Sequence, residues 1–176
     1  MSALSRLYTV QKLPAGRLSI LPRPRGGDWL NDEIKALYFE GVAIVVSLLM
    51  PEEEAELDLR HEGEVCQSQG VSYRSYPILD HHVPPWSLAT FKLLEDLQEE
   101  LARGKHVAVH CRMGLGRSAL IAASVLVLSG LTPEQACEML STARGYTVPE
   151  TEEQRAWVKA LPLRYQEKLH AQDDRL

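Results

Sequence analysis

The stretch that decides the fold is His106-Val-Ala-Val-His110-Cys111-Arg112-Met113-Gly114-Leu115-Gly116-Arg117-Ser118, followed by the apolar run 119–128. Residues 106–109 have the unbroken, β-branched character of a short buried strand, and the residues after Ser118 predict an apolar helix to Ser129. In α/β folds, ligands sit at the carboxyl end of a strand, where the chain turns into a helix. Gly114 and Gly116 let the loop curl tightly, so that its N–H groups face inward with a helix N-terminus behind them. Such a nest binds anions. Arg117 stands where its guanidinium can hold two oxygens of a phosphate-like group. Cys111 opens the same loop, and the local positive potential should keep it as thiolate. A thiolate beneath an oxyanion cradle is a nucleophile aimed at phosphorus. A structural turn around a buried thiol is the plain alternative; a Cys, five residues and Arg-Ser between strand and helix favour the chemical reading.

The rest of the chain supplies a scaffold for this loop. Arg17–Leu21, the apolar run Val42–Leu49 and Val71–Ile78 read as further strands. Asp28 is expected to cap a helix from Trp29 to about Glu40, with Leu30, Ile34 and Leu37 inward. Pro51 is expected to open an acidic helix, with Leu57, Val65 and Cys66 inward. Ser87–Ala102 predicts a helix whose stripe is Leu88, Phe91, Leu94, Leu97 and Leu101. Thr132-Pro-Glu-Gln135 is a capping box with proline in the first turn, predicting a helix to about Ala143. A last helix is expected from near Thr151, kinked or broken at Pro162. Strands alternating with helices predict an α/β fold, with a central, mostly parallel sheet of 4–5 strands flanked by helices and a phosphate-binding loop between a strand and a helix. One domain over residues 1–176 is expected, with about 1–16 as an N-terminal extension and 171–176 as a frayed tail.

Composition narrows the function classes. The chain has 176 residues, 24 acids against 19 bases and a net charge of −5, the wrong sign for a nucleic-acid binder. No apolar stretch approaches the ~20 residues of a membrane span, and no targeting segment is visible. Three widely spaced cysteines, Cys66, Cys111 and Cys137, make neither a disulfide framework nor a metal knuckle, which points to a reducing, cytoplasmic compartment. Cys66 and Cys137 read as small core residues, with a resolving-thiol role the alternative.

The loop His110-Cys-Arg-Met-Gly-Leu-Gly-Arg-Ser118 matches the HCx5R[S/T] pattern of the cysteine-dependent protein tyrosine phosphatases. Its two glycines look most like the small dual-specificity branch. Tyr76-Pro-Ile-Leu-Asp80 is similar to that branch's general-acid loop, and Arg144 to Gln154 resembles the segment following the phosphate loop in small atypical members.

The resemblance implies roles that chemistry also supports. Cys111 would attack phosphorus in line, and amides of Arg112, Met113, Gly114, Leu115, Gly116 and Arg117, with the Arg117 side chain, would hold the equatorial oxygens. Asp80 would protonate the leaving oxygen and then activate water; an ordinary turn aspartate is its plainer reading. Ser118 would donate to the Cys111 sulfur, His110 would order the loop, and Gln154 would position water or simply cap a helix with Thr151. His81 and His82 read as a solvated loop; no metal and no cofactor are expected. Trp86 and the prolines before it would form one wall of a shallow pocket, open to phosphoserine and phosphothreonine as well as phosphotyrosine. A phosphorylated protein or peptide is the expected partner of a monomeric enzyme. A phosphoinositide or other small phosphorylated metabolite is the alternative substrate, and a silent phospho-residue binding module is the alternative class.

Overall fold

A computed structural model describes residues 4–173; residues 1–3 of the expected N-terminal extension and 174–176 of the expected tail lie outside the described residues. Its centre is a five-stranded sheet in the order β1-β2-β5-β3-β4. The strands are β1 (Tyr8–Thr9), β2 (Arg17–Leu21), β3 (Val42–Ser47), β4 (Ser72–Ser75) and β5 (His106–His110). All pairs are parallel except β1–β2, so the expected mostly parallel sheet is present. β5 pairs with β2 on one side and β3 on the other, and all five of its residues are buried. A strand bonded along both edges has little freedom, which makes the carboxyl end of β5 a rigid platform.

The two faces of the sheet are covered by different helices. Alternation sends Ile44, Val46, Val107 and Val109 to one face and Val45 and Ala108 to the other. The first face carries α4 (Leu88–Ala102), α5 (Arg117–Leu128), α6 (Pro133–Arg144) and α7 (Glu152–Asp173). The second carries α1 (Leu30–Phe39) and the short α3 (Glu62–Ser68), while the short α2 (Pro51–Glu56), which follows β3, has no fully buried residue. α5 is buried from Arg117 through Leu126 and packs on β2, β5, α4, α6 and α7. A helix apolar all round belongs at such a centre.

Several boundaries differ from the sequence expectation for identifiable reasons. A 3-10 turn, Gly27–Trp29, precedes α1, which begins at Leu30, and Asp28 caps nothing. The acidic helix expected from Pro51 is two helices, because Asp58 takes a left-handed backbone (φ 58°) between them and Leu59 plunges into the core. There the carbonyls of Leu57 and Asp58 press so closely on Gly26 that a Cβ would not fit. Of the three residues expected inward, Cys66 is buried, while Leu57 and Val65 are half-buried. β4 stops at Ser75 because Pro77 has no N–H to donate, although Tyr76 and Ile78 still donate to Ser47 and Leu48. Ser87 caps α4 by accepting from the Thr90 amide, and this puts Leu88 at the helix start, 67% exposed and outside the apolar stripe. α7 runs unbroken through Pro162 to Asp173, with Pro162 on its outer side next to the buried Leu161, so residues 171–173 are helical rather than frayed.

α7 also fastens the loop that follows β4. Trp157 stacks on Trp86 with ring centroids 4.0 Å apart, and its indole N–H donates to Pro84 O at 3.0 Å. Trp157→Ala is therefore expected to cost about 3–5 kcal/mol of stability, measured by equilibrium urea unfolding.

Candidate active site

The loop 111–116 leaves the rigid end of β5 and runs into α5, whose first residue is Arg117. Gly114 is left-handed (φ 70°), and a Cβ there would lie 2.7 Å from the backbone of Leu21 and Pro22. Gly116 has an ordinary negative φ but no room, since a Cβ would lie 2.9 Å from the Gln154 amide. Three successive carbonyls of the loop are claimed by donors. Arg23 N–H donates to Arg112 O at 3.2 Å, Arg144 Nη2 to Met113 O at 3.3 Å and Arg144 Nε to Gly114 O at 3.1 Å. In a trans peptide the N–H points opposite the carbonyl. Anchoring these carbonyls outward therefore turns the following N–H groups toward the hollow of the loop.

Cys111 is buried, with Sγ 3.3 Å from Ser118 Oγ. Burial alone would push its pKa up. Hydrogen bonds from the Ser118 hydroxyl and amide, the Arg117 charge and the Gly114 amide outweigh burial and hold the thiol below its ordinary range. The other two cysteines lack such surroundings. Burial and the Glu62 charge push Cys66 up to about 12, and burial raises Cys137, which is half-buried.

Arg117 is only 1% exposed, yet it carries a full charge. Nη1 donates to Glu53 Oε2 at 2.7 Å, to Ile78 O at 2.8 Å and more weakly to Leu48 O at 3.4 Å. Nη2 donates to Glu53 Oε1 at 3.0 Å and lies 3.1 Å from Asp80 Oδ1. Nε is buried with no partner among the described residues, so one donor of the fork stays open for an oxyanion. The Arg112 side chain does not join it: its guanidinium is engaged by Glu56 at 3.0 and 3.3 Å and lies 3.7 Å from Glu53. Met113 is exposed and Leu115 half-buried.

Asp80 is brought to the same place from the other side of the crevice. Its side chain is 45% exposed, and Oδ1 accepts the His81 amide at 2.9 Å, with His81 itself left-handed (φ 61°). His82 Nδ1 lies 2.7 Å from Asp80 O. The fold also sets His81 3.7 Å from Glu150, a carboxylate far away in sequence. Gln154 is fully buried: Oε1 accepts the Thr151 amide at 3.1 Å while Nε2 donates to His82 O at 3.3 Å. One amide thus caps α7, covers Gly116 and reaches the Asp80 loop. Trp86 packs against Trp157 and is half-buried beside this loop.

Three functional neighbours escaped the sequence reading. Glu53, the third residue of α2, also accepts the Met50 amide at 2.9 Å. Only its position after Pro51 marks it among Glu52, Glu53 and Glu54. Glu62 lies 2.8 Å from His110 Nε2, and nothing in its local sequence announces this. Arg144 stacks on the Tyr8 ring at 4.1 Å while bracing the loop. Burial raises the Glu53 pKa, but hydrogen bonds from Arg117 and Met50 and the Arg117 and Arg112 charges bring it below the ordinary glutamate range. A depressed carboxylate adds stability above its unfolded pKa, and that contribution fades as pH falls through the folded value. Glu53→Ala is expected to cost about 3–5 kcal/mol near neutral pH by stripping a buried guanidinium of its two-point carboxylate partner, a loss that shrinks in acid. Saturating tungstate should recover part of it, read as a rise in melting temperature.

Similarity to known proteins follows the same geometry. A family model described as "Tc-R-P: Polymorphic toxin system, DSP-PTPase phosphatase" matches residues 21–131. Cyclin-dependent kinase inhibitor 3 of Rattus norvegicus is 33% identical over 81 residues, 42% of this chain but only 38% of that protein. The crystal structure of kinase associated phosphatase (KAP), with its catalytic-site cysteine replaced by serine, superposes with a TM-score of 0.83 at 20% identity, covering 97% of this chain and 99% of that one. PTPMT1 in complex with PI(5)P gives a TM-score of 0.67 at 21% identity, covering 86% of this chain and 94% of that one. The two structures share the fold. The family match runs from the end of β2 through the Asp80 loop and the Cys111 loop to just past the end of α5, more than half of the chain, and on that ground the chain belongs to the DSP-PTPase family of cysteine-dependent phosphatases.

Proposed function

We propose that this chain hydrolyses phosphotyrosine, and also phosphoserine and phosphothreonine, in proteins through a phosphocysteine intermediate. The observation that carries the reading is the oxyanion cradle beside a thiol held below its ordinary range, with Arg117 Nε buried and without a partner among the described residues. In the first step the Cys111 thiolate forms a bond to phosphorus as the bond to the leaving oxygen breaks. The inward amides of the loop and Arg117 hold the three equatorial oxygens. Asp80 leaves its contact with Arg117, takes a proton from solvent and, as the carboxylic acid, donates it to the departing oxygen. In the second step the ionised Asp80 takes a proton from water, whose oxygen attacks phosphorus, and the Cys111 sulfur departs as thiolate. Ser118 stabilises that sulfur, and Gln154, anchored between Thr151 and His82 O, positions the water.

Substrate class follows from what surrounds the cradle. Kinase associated phosphatase and cyclin-dependent kinase inhibitor 3 carry names that tie them to kinases, which supports a protein substrate. PTPMT1 is described with PI(5)P, a multiply charged headgroup. Here the second loop cation, Arg112, is engaged by Glu56, and Glu53 stands beside it, so little free positive charge is left for extra phosphates. A reducing compartment such as the cytoplasm goes with the reading, because the attacking thiol must stay reduced.

Cys111→Ser is expected to abolish turnover while retaining phosphopeptide binding, measured by steady-state assay and calorimetry. Asp80→Asn is expected to slow hydrolysis of an alkyl phosphate roughly 10²–10⁴-fold while slowing an activated aryl phosphate far less, and to erase the basic limb of the bell-shaped pH–rate profile. Equal losses on both substrates would assign the acid to another residue. Phosphopeptides should be turned over with higher kcat/KM than soluble PI(5)P; the reverse order would favour the phosphoinositide.

A further inference from the structure

The alternation of β5 sends His106, Ala108 and His110 to the sheet face covered by α1 and α3. His110 therefore points away from the crevice although it precedes the nucleophile. Its ring meets a carboxylate from α3: Nε2 lies 2.8 Å from Glu62 Oε1, with His110 1% and Glu62 0% exposed. The other ring nitrogen, Nδ1, lies 3.2 Å from the carbonyl oxygen of Cys111. Both nitrogens thus face oxygens, and the carbonyl can only accept. A neutral imidazole carries one N–H; satisfying a carbonyl and a carboxylate together takes two. The remaining oxygen of Glu62, Oε2, is buried without a partner among the described residues, so the Glu62 charge is answered by His110 alone.

We propose that Glu62 is a positioning residue that holds His110 as an imidazolium, and that this buried cation, one residue from the nucleophile, favours the Cys111 thiolate. The proposal rests on the phosphatase reading only in taking Cys111 as the nucleophile. No proton passes between the residues: the thiol loses its proton to solvent and His110 keeps both of its own.

The surroundings bias the pair in one direction. Glu54, Tyr73 and Cys66 are the other titratable groups around Glu62, and burial together with the Glu62 charge pushes all three toward their neutral forms. Among the described residues, His110 is the basic side chain within hydrogen-bond distance of Glu62. Burial disfavours a charged His110, yet the Glu62 charge and hydrogen bond, the Cys111 carbonyl and the Cys111 charge raise it above the ordinary histidine range. On the crevice side Arg117 adds the second positive charge near the sulfur. The nucleophile thus stands between two cations, each held by a glutamate from the α2–α3 segment.

Glu62→Gln tests this, because glutamine keeps the shape and can still accept from Nε2 but removes the charge. The readout is the pH dependence of iodoacetate alkylation of Cys111, which titrates the thiolate and needs no phosphoryl transfer. In Glu62→Gln the alkylation midpoint is expected to move up by about one pH unit or more. In a His110→Asn background the same substitution is expected to move it no further. A Glu62→Gln midpoint equal to that of the wild type, in a variant whose circular dichroism is native, would overturn the proposal and leave Glu62 a purely structural brace. If Glu62→Gln fails to fold, ¹⁵N histidine NMR of the wild type decides: His110 doubly protonated at neutral pH sustains the proposal, and a neutral ring there overturns it. Failure of the phosphatase reading would show instead as absent turnover with the alkylation shift intact.

Discussion

A guanidinium sealed from water is the constraint around which this structure is arranged. A buried charge is tolerated only when its partners are close and well aligned. Arg117 draws those partners from separate stretches of chain: Glu53 at the start of α2, the Leu48 carbonyl just past β3, and the Ile78 carbonyl and Asp80 from the segment past β4. Each must come to the carboxyl edge of the sheet, on the β3–β4 side of β5. The parallel arrangement of β3, β4 and β5 does this naturally, because parallel neighbours end at the same edge. The crevice is therefore a consequence of sheet topology combined with the need to answer one buried charge.

The same logic accounts for the acidity of the 51–64 segment. Read along the sequence, its glutamates suggest a solvated helix face. In space, two of them turn inward, Glu53 to Arg117 and Glu62 to His110, while Glu56 takes the Arg112 side chain at the rim. The break at Asp58 makes this possible, since a single straight helix would present residues 53 and 62 on rigidly related positions. A chain of net charge −5 thus builds a locally cationic cradle by placing its anions behind the cations that line it.

Much of the fold was legible because its signals are local. The buried strand, two glycines and apolar helix around Cys111 lie within a few residues of one another, and the strand run 42–47 carries its own β-branched pattern. The capping box at Thr132 formed as its residues imply. What escaped depends on distance. Glu53 and Glu62 find their partners 64 and 48 residues away, and nothing in a run of glutamates tells which one folds inward. Arg144 braces the phosphate loop from 30 positions downstream. The continuity of α7 was misjudged because Pro162 reads as a kink or break, whereas its place on the outer side of the helix leaves the buried Trp157, Val158 and Leu161 in register. Gln154 caps α7 with Thr151, as one of its two readings has it, and its Nε2 also reaches the carbonyl of His82, a contact that no local signal announces.

The account stands on Cys111 being the atom that takes the phosphoryl group. Its most direct measurement is rapid acid quench of the wild-type protein during turnover of an aryl phosphate, followed by peptide mass spectrometry. A phosphoryl adduct on Cys111, formed and lost at rates consistent with turnover and accumulating when Asp80 is replaced so that water attack is slowed, is the predicted result. Continued turnover with no adduct on Cys111, or with the adduct on another residue, would contradict it.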